Sequence, residues 1–233
     1  MQKFSKIHDR ALTRKGSDAN LNALLPKIKK KQALSKIPDH RYLSEMTRCV
    51  FQAGFVWRVV NQKWDDFETV FFGFAPEKMV RLSPEQLEGF GKDKRIIRNM
   101  QKILSVPKNA QFILDEAHTH GSFAGLVSQW PLDELHALFG LLKLKGSRLG
   151  GMTGPRMLRS LGKDTYLLTS DVVHCLQKAG LEIAKNPTSK RDQVLIQQTF
   201  NQWHEETSFD YAKLSLICAC SVGENYAMDK LIR

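Results

Sequence analysis

The spacing of apolar residues is the feature that most constrains this chain. From Asp39 onward it follows a helical period almost throughout, and no segment shows the sustained apolar–polar alternation of a strand. Tyr42, Met46, Cys49, Val50 and Ala53 form one such stripe, with Asp39 expected as its cap. Trp64 to Phe72 reads as a further helix. Ser83-Pro84-Glu85-Gln86 is a helix start, with serine as cap, proline in the first turn and glutamine three residues on. Asp93 to Val106 puts Ile96, Ile97, Met100, Ile103 and Leu104 on one face, and Pro107 is expected to stop that helix. Further helices fit about 109–118, 122–128, 131–144, 190–206 and 209–221, together with one capped by Ser170 and stopped at Gly180. The class is all-α.

The 233 residues suffice for one sizeable core or two small lobes around a cleft. Hydrophobic residues at 42% exclude wholesale disorder. No apolar run approaches the roughly 20 residues of a membrane span, and Met1-Gln2-Lys3-Phe4-Ser5 lacks the apolar core of a signal peptide. Cys49, Cys175, Cys218 and Cys220 read as reduced thiols, so a cytoplasmic location and no membrane partner are expected. A monomer is expected. The net charge of +11 points to a polyanionic partner, and its distribution is uneven. Residues 1–36 hold ten lysines and arginines against two acids, leaving only +3 for the rest. Residues 1–38 therefore read as a basic arm whose order the sequence leaves open, either a solvated tail or a tracker of phosphates, and 39–233 as the folded helical domain.

The stretch from Leu141 to Leu176 carries the chemistry. A helix ends near Lys145, a turn rich in Gly146, Gly150, Gly151 and Gly154 follows, and Pro155 opens a second helix. This is the plan of a helix-hairpin-helix over about 145–156. Glycines let the backbone approach a phosphate with no Cβ in the way, and free amides at the second helix's N-terminus point at the anion. Such contacts fix a protein on DNA without reading sequence. Gly150, Gly151, Thr153 and Gly154 are the candidate backbone contacts, with Arg148 and Arg156 as counter-charge. An ordinary glycine-rich turn would look much the same.

Three ordered blocks give this pattern a family. Gln52-Ala53-Gly54-Phe55-Val56-Trp57, then Phe72-Gly73-Phe74-Ala75-Pro76, then Arg95-Ile96-Ile97-Arg98-Asn99 with Lys102-Ile103 resemble the matching blocks of the DNA-3-methyladenine glycosylase I family, and the hairpin falls where that family has its own. The resemblance covers roughly 43–176. It implies a two-lobed helix-hairpin-helix fold, binding to double-stranded DNA, and hydrolysis of the N-glycosidic bond of alkylated purines such as 3-methyladenine, taken out of the stack into a pocket.

On that resemblance Trp57 is the aromatic wall of the pocket and Gln52 a polar contact, though either residue could serve packing or capping instead. The family's base-contacting glutamate falls on Cys49, a poor acceptor, while Glu45 lies one turn earlier on the same face. In the wider superfamily an aspartate after the hairpin assists catalysis. That position is Thr169 here, with Asp171 two residues on, either displaced into the role or serving its helix N-terminus. The family's structural zinc uses a His-x-x-x-Cys pair where this chain has Asp171 and Cys175, and its N-terminal ligands have no match, so zinc is expected to be lost and no cofactor is expected. Cys218 and Cys220 with His204 are a weak alternative site, and His118 and His120 fit a helix end. These departures keep open a second reading, a DNA-binding protein that retains the fold without base excision.

Overall fold

The computed structural model describes residues 1–225, which divide into two compact units. Unit 1 comprises Met1–Ile28, Pro131–His136 and the chain from Asp164; unit 2 comprises Lys29–Trp130 and Ala137–Lys163. Helices build both, with no strand among the described residues, and the all-α expectation holds. The chain opens with α1 (Phe4–Lys15) and α2 (Asp18–Ala23). In unit 2 follow α3 (Lys31–Leu34), α4 (Asp39–Gln52), α5 (Trp57–Gln62), α6 (Trp64–Val70), α7 (Pro76–Met79), α8 (Pro84–Lys92), α9 (Met100–Ile103), α10 (Ser105–His120) and α11 (Phe123–Gln129). The glycine turn joins α12 (Leu135–Lys145) to α13 (Thr153–Leu161), and α14 (Ser170–Lys178), α15 (Lys190–Thr207) and α16 (Tyr211–Cys220) lie in unit 1. No described helix is long and apolar enough to cross a membrane.

The core of unit 2 is built on α4. Its apolar stripe buries Tyr42, Leu43, Met46, Val50 and Phe51, and α13 and α10 pack against it. Beside it Trp64 stacks on Phe67 and Phe74 with centroids 5.0 and 5.7 Å apart, and Phe51 meets Phe67 edge-on at 4.8 Å. The capping box at Ser83 forms as read, with Gln86 N–H donating to the serine oxygen and Ser83 N–H to the glutamine carbonyl.

Two local expectations fail for identifiable reasons. Asp39 does not cap its own helix. Its carboxylate accepts from Phe123 N–H at 3.1 Å and Ala124 N–H at 3.3 Å, capping α11 from 84 residues away. Pro107 does not end a helix but sits in the first turn of α10, where a missing N–H costs nothing. The apolar face read over 93–106 is divided between a turn at 93–99 and the short α9.

The larger correction concerns residues 1–38, which form no free arm. Phe4, Ile7 and Ala11 lie on one face of α1 and are fully buried in unit 1. Phe4 packs on Trp203 at 5.2 Å and on Phe209 at 6.3 Å. Arg14 donates to the carbonyls of Cys220, Val222 and Gly223 at 2.8, 3.1 and 2.7 Å. A guanidinium is favourable there because the end of α16 leaves carbonyls without helical partners. From Lys29 the chain belongs to unit 2, where Leu34 is buried. The lysines at 27, 29, 30, 31 and 36 stay exposed, so the basic charge is carried on folded structure.

Phe4→Ala is expected to destabilise the protein by about 3–5 kcal/mol, the usual cost of emptying a buried aromatic site. A urea unfolding midpoint equal to that of the parent would restore the free-arm picture.

Candidate base pocket and hairpin

The hairpin is closed by backbone bonds that need glycine. Gly146 N–H donates to Leu142 O at 3.0 Å and Gly154 N–H to Leu149 O at 3.1 Å. A Cβ on Gly154 would lie 2.7 Å from that same carbonyl and 3.0 Å from a Leu142 methyl, and one on Gly146 would meet the Leu149 side chain at 2.5 Å. Gly154 is therefore buried and its amide is spent inside the turn, so it does not offer the phosphate contact read from the sequence. The exposed residue is Gly151, at φ +60°, with open space where a Cβ would stand. Among the described residues the amides of Gly150, Gly151 and Met152 make no hydrogen bond. Asn109, which the sequence reading missed, pins the turn to α10: its amide donates to Ser147 O at 3.1 Å and its carbonyl accepts from Ser147 N–H at 2.7 Å.

Next to the turn lies a cleft of about 350 Å³ lined by Val50, Ala53, Lys102, Arg148, Gly150 and Thr153. Among these described lining residues are two cations and no carboxylate. Lys102 is buried, donates to the terminal carbonyls of α4 at Phe51 (3.1 Å) and Ala53 (2.6 Å), and sits 4.4 Å over the Phe55 ring. Burial, with Arg148 nearby, lowers its pKa from the usual lysine value. Arg148 has a left-handed backbone at φ +64° and donates to Gln101 Oε1 at 2.5 Å. The sequence reading named Lys102 only as part of a block; its place in the cleft follows from its bonds to the end of α4.

Trp57 opens α5 with nearly half its surface exposed. The guanidinium carbon of Arg156, on α13, stands 4.9 Å over its ring. The hairpin helix and the aromatic residue thus meet directly, and the protein's own cation covers one face of the ring read as the pocket wall. Gln52 turns to Asn61, donating from its amide at 3.0 Å, and neither Gln52 nor Trp57 lines the cleft itself. Cys49 is buried, with its thiol 3.7 Å from Glu45 Oε1, and burial together with the Glu45 charge pushes its pKa up to about 12. Glu45 accepts from the Ser160 hydroxyl at 2.7 Å and pairs with Arg48 at 3.4 Å. Arg48 in turn lies 4.6 Å over Trp64.

All of these residues belong to unit 2. Asp171 belongs to unit 1, as the second residue of α14. The cap of that helix is Thr169, not Ser170: its hydroxyl accepts from Val172 N–H at 3.3 Å. The donor set around Cys175 does not fit a tetrahedral zinc. Its sulfur lies 3.3 Å from the Ser221 hydroxyl, and a hydrogen bond from buried Cys218 is the main cause of a pKa held down to about 7. His204 is engaged by the Phe209 carbonyl at 2.8 Å, and no group of three His, Cys, Asp or Glu residues is disposed to hold a metal ion among the described residues. His120 pairs with Glu116 at the end of α10, before Gly121.

Residues 35–137 match the model of the methyladenine glycosylase family. No curated protein matches the sequence. Among solved structures, the chain resembles the 8-oxoguanine DNA glycosylase of Methanocaldococcus jannaschii, with 15% identity and a TM-score of 0.54 over 92% of this chain and 90% of that one. A structure of the same organism's 8-oxoguanine glycosylase/lyase with a 15mer DNA containing 8-oxoguanine matches at 14% identity and a TM-score of 0.53, covering 91% and 95% of the two chains. These two share the fold. A 3-methyladenine DNA glycosylase I structure is 25% identical over 54% of this chain and 81% of its own, with a TM-score of 0.46. Over residues 35–137 the resemblance read from the sequence holds, for there the chain matches the methyladenine glycosylase family, and its all-α fold is shared with the 8-oxoguanine DNA glycosylase.

Proposed function

We propose that the protein is a DNA N-glycosylase of the 3-methyladenine type, acting on duplex DNA in base-excision repair. One observation carries this. Ala53, in the loop leading to Trp57, and Gly150, in the hairpin turn, line the same cleft. The reading that phosphate grip and base recognition lie side by side draws on this shared lining.

The chemistry asks little of the protein beyond that. In an N3-methylated adenosine the base is cationic, so the C1′–N9 bond breaks with its electron pair going to a base that departs neutral. Water oxygen then bonds C1′, and the displaced proton goes to solvent. The protein contributes by binding the departing base and the sugar cation more tightly than the intact nucleotide. No cofactor is needed for this step. Glu45 is the carboxylate we assign to it, with Gln52 and Trp57 as base contacts and Gly150, Gly151, Thr153 and Arg148 toward the DNA backbone; Asp171 lies in unit 1 and Arg156 is stacked on Trp57, and neither is assigned to those roles. The chain would act as a monomer in the cytoplasm. The second reading, duplex binding without excision, draws on the neutral thiol of Cys49 and on Arg156 covering Trp57.

Incubated with DNA containing 3-methyladenine, the protein is expected to release free base above the spontaneous rate, and Trp57→Ala to lower that release by about tenfold or more. Duplex binding with no release would establish the second reading.

The hairpin assignment predicts opposite outcomes for two glycines. Gly151→Asp, at an exposed left-handed position that aspartate tolerates, should weaken duplex affinity about tenfold and leave the helical circular dichroism intact. Gly154→Ala should instead cost about 1–3 kcal/mol of stability through overpacking. Equal DNA affinity in Gly151→Asp and the parent would remove the phosphate contact.

A further inference from the structure

We propose that the site prefers an uncharged alkylated purine to a cationic one, and that Arg156, stacked over Trp57, sets this choice; the inference rests on the base-excision reading above.

Three observations converge on it. First, the guanidinium of Arg156 lies 4.9 Å above Trp57. An aromatic face attracts one cation through its quadrupole, and a second cation brought there must displace the first or sit against it. An uncharged purine meets no such repulsion, and a planar guanidinium stacks on it as readily as on the indole. Second, the cleft beside the hairpin has Lys102 and Arg148 in its wall and no carboxylate. Third, Glu45, the carboxylate beside Cys49, already faces Arg48 at 3.4 Å and the Ser160 hydroxyl at 2.7 Å. At position 49 stands a thiol that burial keeps protonated. Arg156 thus faces both Trp57 and Cys49, and the other charged groups acting on Cys49 are Arg48 and the engaged Glu45, a surrounding poor in free negative charge.

The same arrangement suits the bond that has to break. When the C1′–N9 bond of an uncharged purine cleaves, the electron pair leaves on the base, which becomes anionic until it takes a proton. Water oxygen bonds C1′, and the proton it gives up ends on the base. A fixed guanidinium against the departing ring stabilises that developing negative charge, which a cationic base never develops.

Two duplex oligonucleotides test this, one carrying a single 1,N6-ethenoadenine as the uncharged lesion and one a single 3-methyladenine as the cationic lesion. Single-turnover release is measured against protein concentration for the parent, Arg156→Gln and Arg156→Lys. The parent should reach half-maximal release at lower concentration on the uncharged lesion. Arg156→Gln should shift the ratio of the two half-saturation values toward the cationic lesion by about tenfold, and Arg156→Lys, which keeps the charge, should stay close to the parent. Half-saturation favouring 3-methyladenine in the parent, or the same ratio in Arg156→Gln, overturns this inference and leaves the glycosylase reading standing. Release from neither duplex overturns both.

Discussion

The hydrogen bond from Gly154 N–H to Leu149 O is the contact on which the functional half of unit 2 depends. It forms only because neither Gly146 nor Gly154 carries a Cβ, so the carbonyl and the Leu142 and Leu149 side chains can close over them. Closure has two consequences. It leaves the amides of Gly150, Gly151 and Met152 without internal partners, and it starts α13 at Thr153. Since α13 packs on α4, its register places Arg156 over Trp57 and Ser160 against Glu45. The turn that would hold a phosphate and the side chain that covers the aromatic face are set by one piece of local geometry.

That hairpin was the most legible part of the sequence, because glycine and proline punctuate it and few conformations suit so many glycines in so short a stretch. The role of each glycine was less legible. The sequence shows that Gly154 is needed but not whether for close approach to a ligand or to its own chain, and the two look alike until the Leu149 carbonyl is located. The helices of 105–129 and 190–220 were readable from periodicity, whereas Pro107 misled because its effect depends on where in the helix it falls. Asp39 misled for a different reason. A carboxylate at a helix start serves whichever amides come near it, and those of Phe123 and Ala124 do so only through the tertiary fold.

The N-terminal segment shows how charge can conceal structure. Phe4, Ile7 and Ala11 make a short helical stripe, but dense lysine and arginine around it give a net charge that reads as an arm. The burial of Phe4 and Ile7 decides the matter, since each such side chain contributes about 1.5–3 kcal/mol when fully buried while exposed lysines cost the fold little. Arg14, counted in the sequence as one more basic residue, spends its charge on three backbone carbonyls. Net charge therefore overstated what the segment could offer a polyanion.

The same distinction between charge counted and charge committed governs the candidate pocket. By count alone the residues named for the pocket, with their arginines, a lysine and a glutamate, could be given either polarity. The structure shows which are spoken for. Glu45 is held by Arg48 and Ser160, and Lys102 is tied to the end of α4, where burial weakens its hold on a proton. Arg156 has a ring as its partner, an interaction that a stacked purine can take over without leaving a charge stranded. In the proposed pocket the polarity a base would meet turns on that side chain, because its partner is the Trp57 ring and not a carboxylate.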